Sequence, residues 1–431
     1  MTTANGILDA SAVNEIVAGG FTPRKQTIVP VGDSYTARTS TITSTQAVFN
    51  NHAHFNWFQI YTGFQFEFLN NAGVDGQRTD QIYARLDSDV FAYDPAWVMD
   101  VSGLNDIIQN VAEATIITNK TLMVEAYLKK NVRPILATIP PSDANTTTVT
   151  AAQMIKRQNI NRWIRRLPFI YPGVIVADIE RVLIDATSTS GYAKANVLAN
   201  AGGADSGVHL TTWGAQLAGK CLADAVASAV RIVDDGPVSA AFTYDVNSSS
   251  KNIAMNPLFL SSGGTAGTGA SGTIAQGMTI GSTAGTPTSV CTLDARSDGF
   301  GNDQSAAITA GASGDIVRLR QTGLLTRASV GDVLRAAVSV KLESAVNVKA
   351  VWLHLEGQTS ATYREARIGS IQSGINTAYI KALDNFSGRL KTANVPLSDG
   401  VSIASIAWNV YVEFMGAGSA TVRIGRASVD K

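Results

Sequence analysis

Cysteine is almost absent from this chain: Cys221 and Cys291 are the only two. Far apart, and in segments of different texture, they exclude a disulfide framework and a cysteine-rich zinc site. Charge of one sign is lacking as well, since 34 Lys and Arg stand against 34 Asp and Glu. Without a basic field, neither nucleic acid nor an anionic membrane surface is an expected partner. No stretch approaches the roughly 18 to 20 unbroken apolar residues of a membrane span, so the chain reads as soluble. The opening "MTTANGILDASAVNEIVAGG" has no basic start and no continuous apolar run, and no cleavable secretory signal is read there. Histidine is scarce, with four in the chain. Two of them form "HAHF" as His52 and His54. With no cysteine or clustered carboxylate nearby they read as a surface or core pair, and no metal or cofactor is expected.

What is present divides into two textures. At 431 residues the chain exceeds what one hydrophobic core usually serves. From residue 24 to 235, short apolar runs ("KQTIVPVG", "FQFEFLNN", "WVMDVSG", "VRPILATIP", "GVIVADIE") alternate with segments of helical spacing. In the longest of these, Ile107, Ile108, Val111, Ala114, Thr115 and Thr118 are expected to form the apolar stripe. The alternation implies a parallel sheet covered by helices on both faces. Residues 1–23 are a lead segment, and 236–254 read as a linker. From 255 to 431 the chain is rich in Gly, Ser and Thr. Period-two runs such as "VLRAAVSVKLE", "VNVKAVWLHLEG", "IASIAWNVYVEFMG" and "ATVRIGRASV" then predict separate strands of an antiparallel β-sandwich.

The stretch "IVPVGDSYTART" runs an apolar strand into Gly-Asp-Ser. A turn would explain it, and so would a nucleophile. In an open parallel sheet, ligands bind beyond the carboxyl ends of the strands. Ser34 lies beyond the first strand, Gly76 beyond the second and Asn105 beyond the third, while His209 immediately precedes the last helix. A serine needs a base, which neutral histidine provides, and a tetrahedral oxyanion needs donors such as backbone N–H groups and an asparagine amide. Asp33 reads as structural, through local bonds to loop N–H groups. Asn105 would also suit a helix N-cap.

The four blocks "GDS", "NNAGVDGQRT", "GLND" and "SGVHLT", in that order, resemble the SGNH (GDSL-type) serine hydrolases over roughly residues 25 to 232. The resemblance implies a flavodoxin-like α/β/α sandwich with a parallel sheet. It also implies Ser34 as nucleophile, His209 as base, and Ser34, Gly76 and Asn105 as the oxyanion hole. Gly73 is the rival to Gly76, but Gly76 followed by Thr79 fits the family pattern better. Two departures stand out: Ser102 replaces the first glycine before Asn-Asp, and the expected aspartate position holds Ser206, with Asp205 one residue earlier. Either Asp205 completes a triad, or a backbone carbonyl orients His209 and the site is a dyad.

The resemblance implies a carboxylic ester hydrolase working through an acyl-enzyme without a cofactor. The sandwich, jelly-roll-like in expectation, looks like the carbohydrate-binding modules found beside polysaccharide esterases. That favours O-acetyl removal from an acylated glycan. The style of the chain is also similar to bacteriophage tail proteins, which implies a virion-associated or extracellular setting and a homo-oligomer, a trimer in that case. The alternative is a glycan-binding or structural fibre protein with a degenerate esterase domain.

Overall fold

The computed structural model describes residues 26–431 apart from 147, 200–206, 231, 233–234, 243–250, 360–362, 372–374 and 398–402. The 1–23 lead segment and Asp205 lie outside the described residues, as does most of the middle of the 236–254 linker. Its two described ends are tied to the last strand: Arg426 donates to the carbonyls of Gly236 and Pro237, and the Ile253 N–H bonds Val429 O at 2.8 Å.

The first module is built on a parallel sheet. Its order is Ile175–Ala177, Arg133–Ala137, Trp97–Val101, Thr27–Gly32 and then the two short strands Glu67–Phe68 and Ala72–Gly73. In chain order this is 2-1-3-4-5, the doubly wound arrangement whose switch point lies beside the first strand. Every residue of Thr27–Gly32 and Trp97–Val101 is buried, so both sheet faces are covered. The first strand, whose last residue is the glycine of Gly-Asp-Ser, therefore ends at the switch point.

One helix departs from the expected pattern. The segment after the third strand breaks into Leu104–Ile108 and Glu113–Lys129, with Asn110 at φ +56° between them. The break resets the helical phase. Ala114, Thr115 and Thr118 are exposed, and the buried face of the second helix is Ile116, Lys120, Met123, Val124 and Tyr127. The expected stripe holds only for Ile107 and partly for Ile108 and Val111.

The C-terminal region is a large, mainly antiparallel β structure. Where four strands were expected there are two: Val333–Thr359 and Ile403–Asp430 run unbroken and pair along their whole length, from Arg335↔Asp430 to Thr359↔Ile403. Bulges near Glu343–Val348 take up the interruptions, with Ser344 at φ +51° and Asn347 at φ +55°. Such bulges bend a strand without ending it. Alternation puts Val338, Val340, Leu342, Leu353 and Leu355 inward, against Trp408, Val410, Val412, Val422 and Ile424. Ile274, Met278 and Ile280 of the Gly/Ser/Thr-rich stretch are buried too, so that stretch is part of the β structure.

The two modules share strands. The hairpin Ser40–Ile42 and Gln46–Asn50, inside the first module's sequence, joins the C-terminal sheet by parallel pairing of Gln46–Asn50 with Tyr363–Ser370.

Candidate active site

The first strand delivers Ser34 as the opening residue of a one-turn helix, Ser34–Ala37. Asp33 caps it, its Oδ1 accepting the Tyr35 N–H at 3.0 Å and its carbonyl accepting from Thr36 and Ala37 at 3.0 and 2.9 Å. At the other end of the module His209 sits on a turn held by backbone bonds, Ala199 N–H to His209 O at 2.8 Å and Thr211 N–H to Val197 O at 3.0 Å. His209 Nε2 lies 2.7 Å from Ser34 Oγ. The neighbouring residues are joined as well: the Tyr35 hydroxyl donates to the Val208 carbonyl. Burial holds the Tyr35 phenol well above its usual pKa of 10.0, so it remains a donor. A half-buried hydroxyl in contact with an almost fully buried imidazole has the geometry that a serine nucleophile and its base require.

The loops after the second and third strands meet at the same edge. Asn105 Nδ2 donates to Gln77 O at 3.1 Å, and Asp106 accepts from both the N–H and the hydroxyl of Thr79 at 2.9 and 2.6 Å. Gly76 stands in the left-handed region at φ +75°, with nothing within 4 Å of where a Cβ would be. Gly73 has a different task. A Cβ there would come 2.1 Å from Ala37 N, so its bareness lets the Ser34–Ala37 helix sit against Ala72–Gly73. Asn105 does not cap its helix, because the N-cap position is Gly103. One amide hydrogen of Asn105 is used on Gln77, leaving geometry for a second donation. If Asn105 donates to the oxyanion, Asn105→Ala lowers kcat about 10²-fold with little change in KM. A rise in KM alone, measured on the same ester, would make it a binding residue.

Sequence reading missed what lies behind these loops. Lys120 is almost wholly buried, its Nζ 3.1 Å from Asp100 Oδ1 and 2.9 Å from Ser102 Oγ. Ser102 also donates to Asp100. Ser102 is thus bonded into the base of the loop rather than merely small. Asp33, fully buried, is pushed up to about 7 by burial, opposed by the Tyr35 N–H and the Lys120 charge. Burial also raises Asp106. A carboxyl whose folded pKa exceeds its unfolded value stabilises the fold fully only below the unfolded pKa, near 3.8, and that contribution disappears as pH rises through about 7. Asp33→Asn keeps a capping oxygen and carries no charge. Its stability relative to the unsubstituted chain is therefore expected to improve by about 2–3 kcal/mol between pH 5 and pH 8, read by urea unfolding. An unchanged difference across that range would show that Asp33 is ionised throughout.

His52 and His54 are buried, and burial lowers both to about 4, aided at His52 by Arg38 and His209. They are neutral core histidines, and among the described residues no group of three or more His, Cys, Asp or Glu is placed to hold a metal. No helix among the described residues is long and apolar enough to cross a membrane.

Residues 31–217 match the model of the GDSL-like Lipase/Acylhydrolase family. Solved structures resemble part of the chain as well. A GDSL-like lipase from Bacteroides thetaiotaomicron VPI-5482 is 18% identical, covering 51% of this chain and 95% of its own, with a TM-score of 0.36. The lipase/acylhydrolase from Enterococcus faecalis is 19% identical over 48% of this chain and 98% of its own, with a TM-score of 0.35. An acetyl xylan esterase, AlAXEase, is 16% identical over 46% and 99%, with a TM-score of 0.35. Among curated proteins none matches the chain.

Proposed function

We propose that the chain is a serine esterase that cleaves a carboxylic ester through an acyl-enzyme, with an O-acetylated polysaccharide as its substrate class. The single observation that carries the reaction is the 2.7 Å contact between Ser34 Oγ and His209 Nε2. His209 takes the Ser34 proton as Oγ attacks the ester carbonyl. The oxyanion is held by the Ser34 and Gly76 N–H groups and the Asn105 amide. His209 then protonates the leaving alcohol, and water, deprotonated in turn by His209, releases the acid. That contact also speaks against a decayed esterase serving only as a binding or fibre module. For the glycan, the support is a stacked pair, Trp352 on Tyr411 at 4.7 Å and 10°, half-exposed on the side of the sheet opposite buried Leu353 and Val410. Aromatic faces of this kind suit sugar rings.

The test is release of acetate from p-nitrophenyl acetate and from acetylated polysaccharides, with Ser34→Ala as control. Activity on the small ester and on no polymer would leave the esterase and remove the glycan; activity surviving in Ser34→Ala would remove this nucleophile. Asp205 is proposed as the third member of the triad. Its offset by one residue from the family position is expected to make Asp205→Asn cost roughly 10- to 10³-fold in kcat, less than loss of the nucleophile. Full activity in Asp205→Asn beside an inactive His209→Ala would make the site a dyad.

A further inference from the structure

Ser34 and His209 come from opposite ends of the first module, and a 2.7 Å contact between them persists only if both of their elements are held. The Tyr35–Val208 bond is one such tie. A second comes from the C-terminal region, from the segment Thr377–Asp384. The Lys381 N–H donates to Thr212 Oγ1 at 2.8 Å, and that hydroxyl donates to Lys381 O at 2.6 Å. The Asp384 N–H donates to Gln216 Oε1 at 2.8 Å, and Gln216 Nε2 donates to Asp384 O at 2.9 Å. Trp213 Nε1 adds a bond to Asp384 Oδ2 at 2.7 Å. All three side chains belong to the first turns of Thr212–Val226, the helix that begins just after His209.

The other end of the same segment reaches the nucleophile. Tyr379, 4% exposed, accepts from Arg38 Nη1 at 2.9 Å, and the guanidinium lies 5.4 Å from its ring centroid. Arg38 closes the Ser34–Ala37 helix, its N–H bonded to Ser34 O at 3.4 Å. The buried His52 ring packs 6.1 Å from the Tyr379 ring. One short segment of the C-terminal region therefore grips the elements of both catalytic side chains.

We propose that Thr377–Asp384 acts as a caliper that sets the Ser34–His209 spacing, with Thr212 and Tyr379 as positioning residues, so that esterase chemistry in the first module depends on the second. This rests on the esterase reading. Neither residue touches a reacting atom. Their loss loosens the pair without removing a substrate contact, and the expected signature is a lower kcat at constant KM.

The experiment uses the full chain and two readouts, p-nitrophenyl acetate kinetics and the rate at which a fluorophosphonate labels Ser34, which reports the Ser–His pair whatever the natural ester is. Thr212→Val keeps the shape and removes the hydroxyl. It is expected to slow both labelling and kcat by roughly tenfold with KM within twofold, and Thr212→Ser is expected to restore them. Tyr379→Phe is expected to slow both about three- to tenfold. If Thr212→Val fails to fold, Tyr379→Phe alone decides. Rates within twofold of the unsubstituted chain in the folded variants, or a change in KM only, overturn the caliper. An unsubstituted chain that is never labelled at Ser34 overturns the esterase reading beneath it.

Discussion

Ser34→Ala is expected to abolish ester hydrolysis, with kcat falling on the order of 10³-fold or more while the fold is kept. The substitution removes one oxygen from the first residue of a one-turn helix, whose cap, Asp33 to Tyr35 N–H, does not use that hydroxyl. Circular dichroism and the unfolding midpoint should therefore stay put while turnover vanishes. His209→Ala should be nearly as severe, and the double substitution scarcely worse than either, because serine and histidine act in a single step. Retention of more than about a tenth of the activity in Ser34→Ala would move the nucleophile elsewhere and leave the 2.7 Å contact a structural hydrogen bond.

The second large effect concerns the boundary between modules. The composition shift near residue 236 suggests a first module that could be cut free. Ending the chain near residue 240 is nevertheless expected to give an aggregating or inactive fragment. Removal of the C-terminal region strips Gln46–Asn50 of its partner Tyr363–Ser370 and leaves a strand edge bare. It also takes away the reciprocal bonds to Thr212 and Gln216, both of them buried. Phe386, 5% exposed and edge-on to Trp57 at 5.1 Å, would go too, uncovering one of the two fully buried tryptophans among the described residues. Size-exclusion chromatography and p-nitrophenyl acetate turnover of the fragment give the answer. A monodisperse fragment with the full-length kcat would show the seam to be dispensable.

Thr27–Gly32, Trp97–Val101 and Arg133–Ala137 were legible because each is a short apolar run, and a parallel sheet buried on both faces demands that pattern; Ser40–Ile42, Gln46–Asn50 and the short Glu67–Phe68 lack it. The approach of His209 to Ser34 was legible because the loops at one edge of a parallel sheet converge whatever the intervening sequence. Periodicity failed at Glu113–Lys129, where a left-handed Asn110 shifts the phase and the buried face includes a lysine. Lys120 is inside because Asp100 and Ser102 wait for it there, a pairing that no count of apolar residues registers. The two long C-terminal strands read as four because a bulge and a strand end look alike in sequence; only the partner strand distinguishes them. Contacts such as Arg38 with Tyr379 join residues too distant in the chain for any local pattern to foretell.

The hairpin that the first module contributes to the C-terminal sheet has a consequence for biosynthesis. Residues 40–50 leave the ribosome early, yet the strand they pair with, Tyr363–Ser370, is made near the end of the chain. Throughout that interval the nascent protein carries an unpaired β-edge, the kind of surface that recruits neighbouring chains and holdase chaperones. Translation pauses or depletion of such chaperones should therefore harm the yield of this protein more than that of a protein whose sheet closes within its own first module.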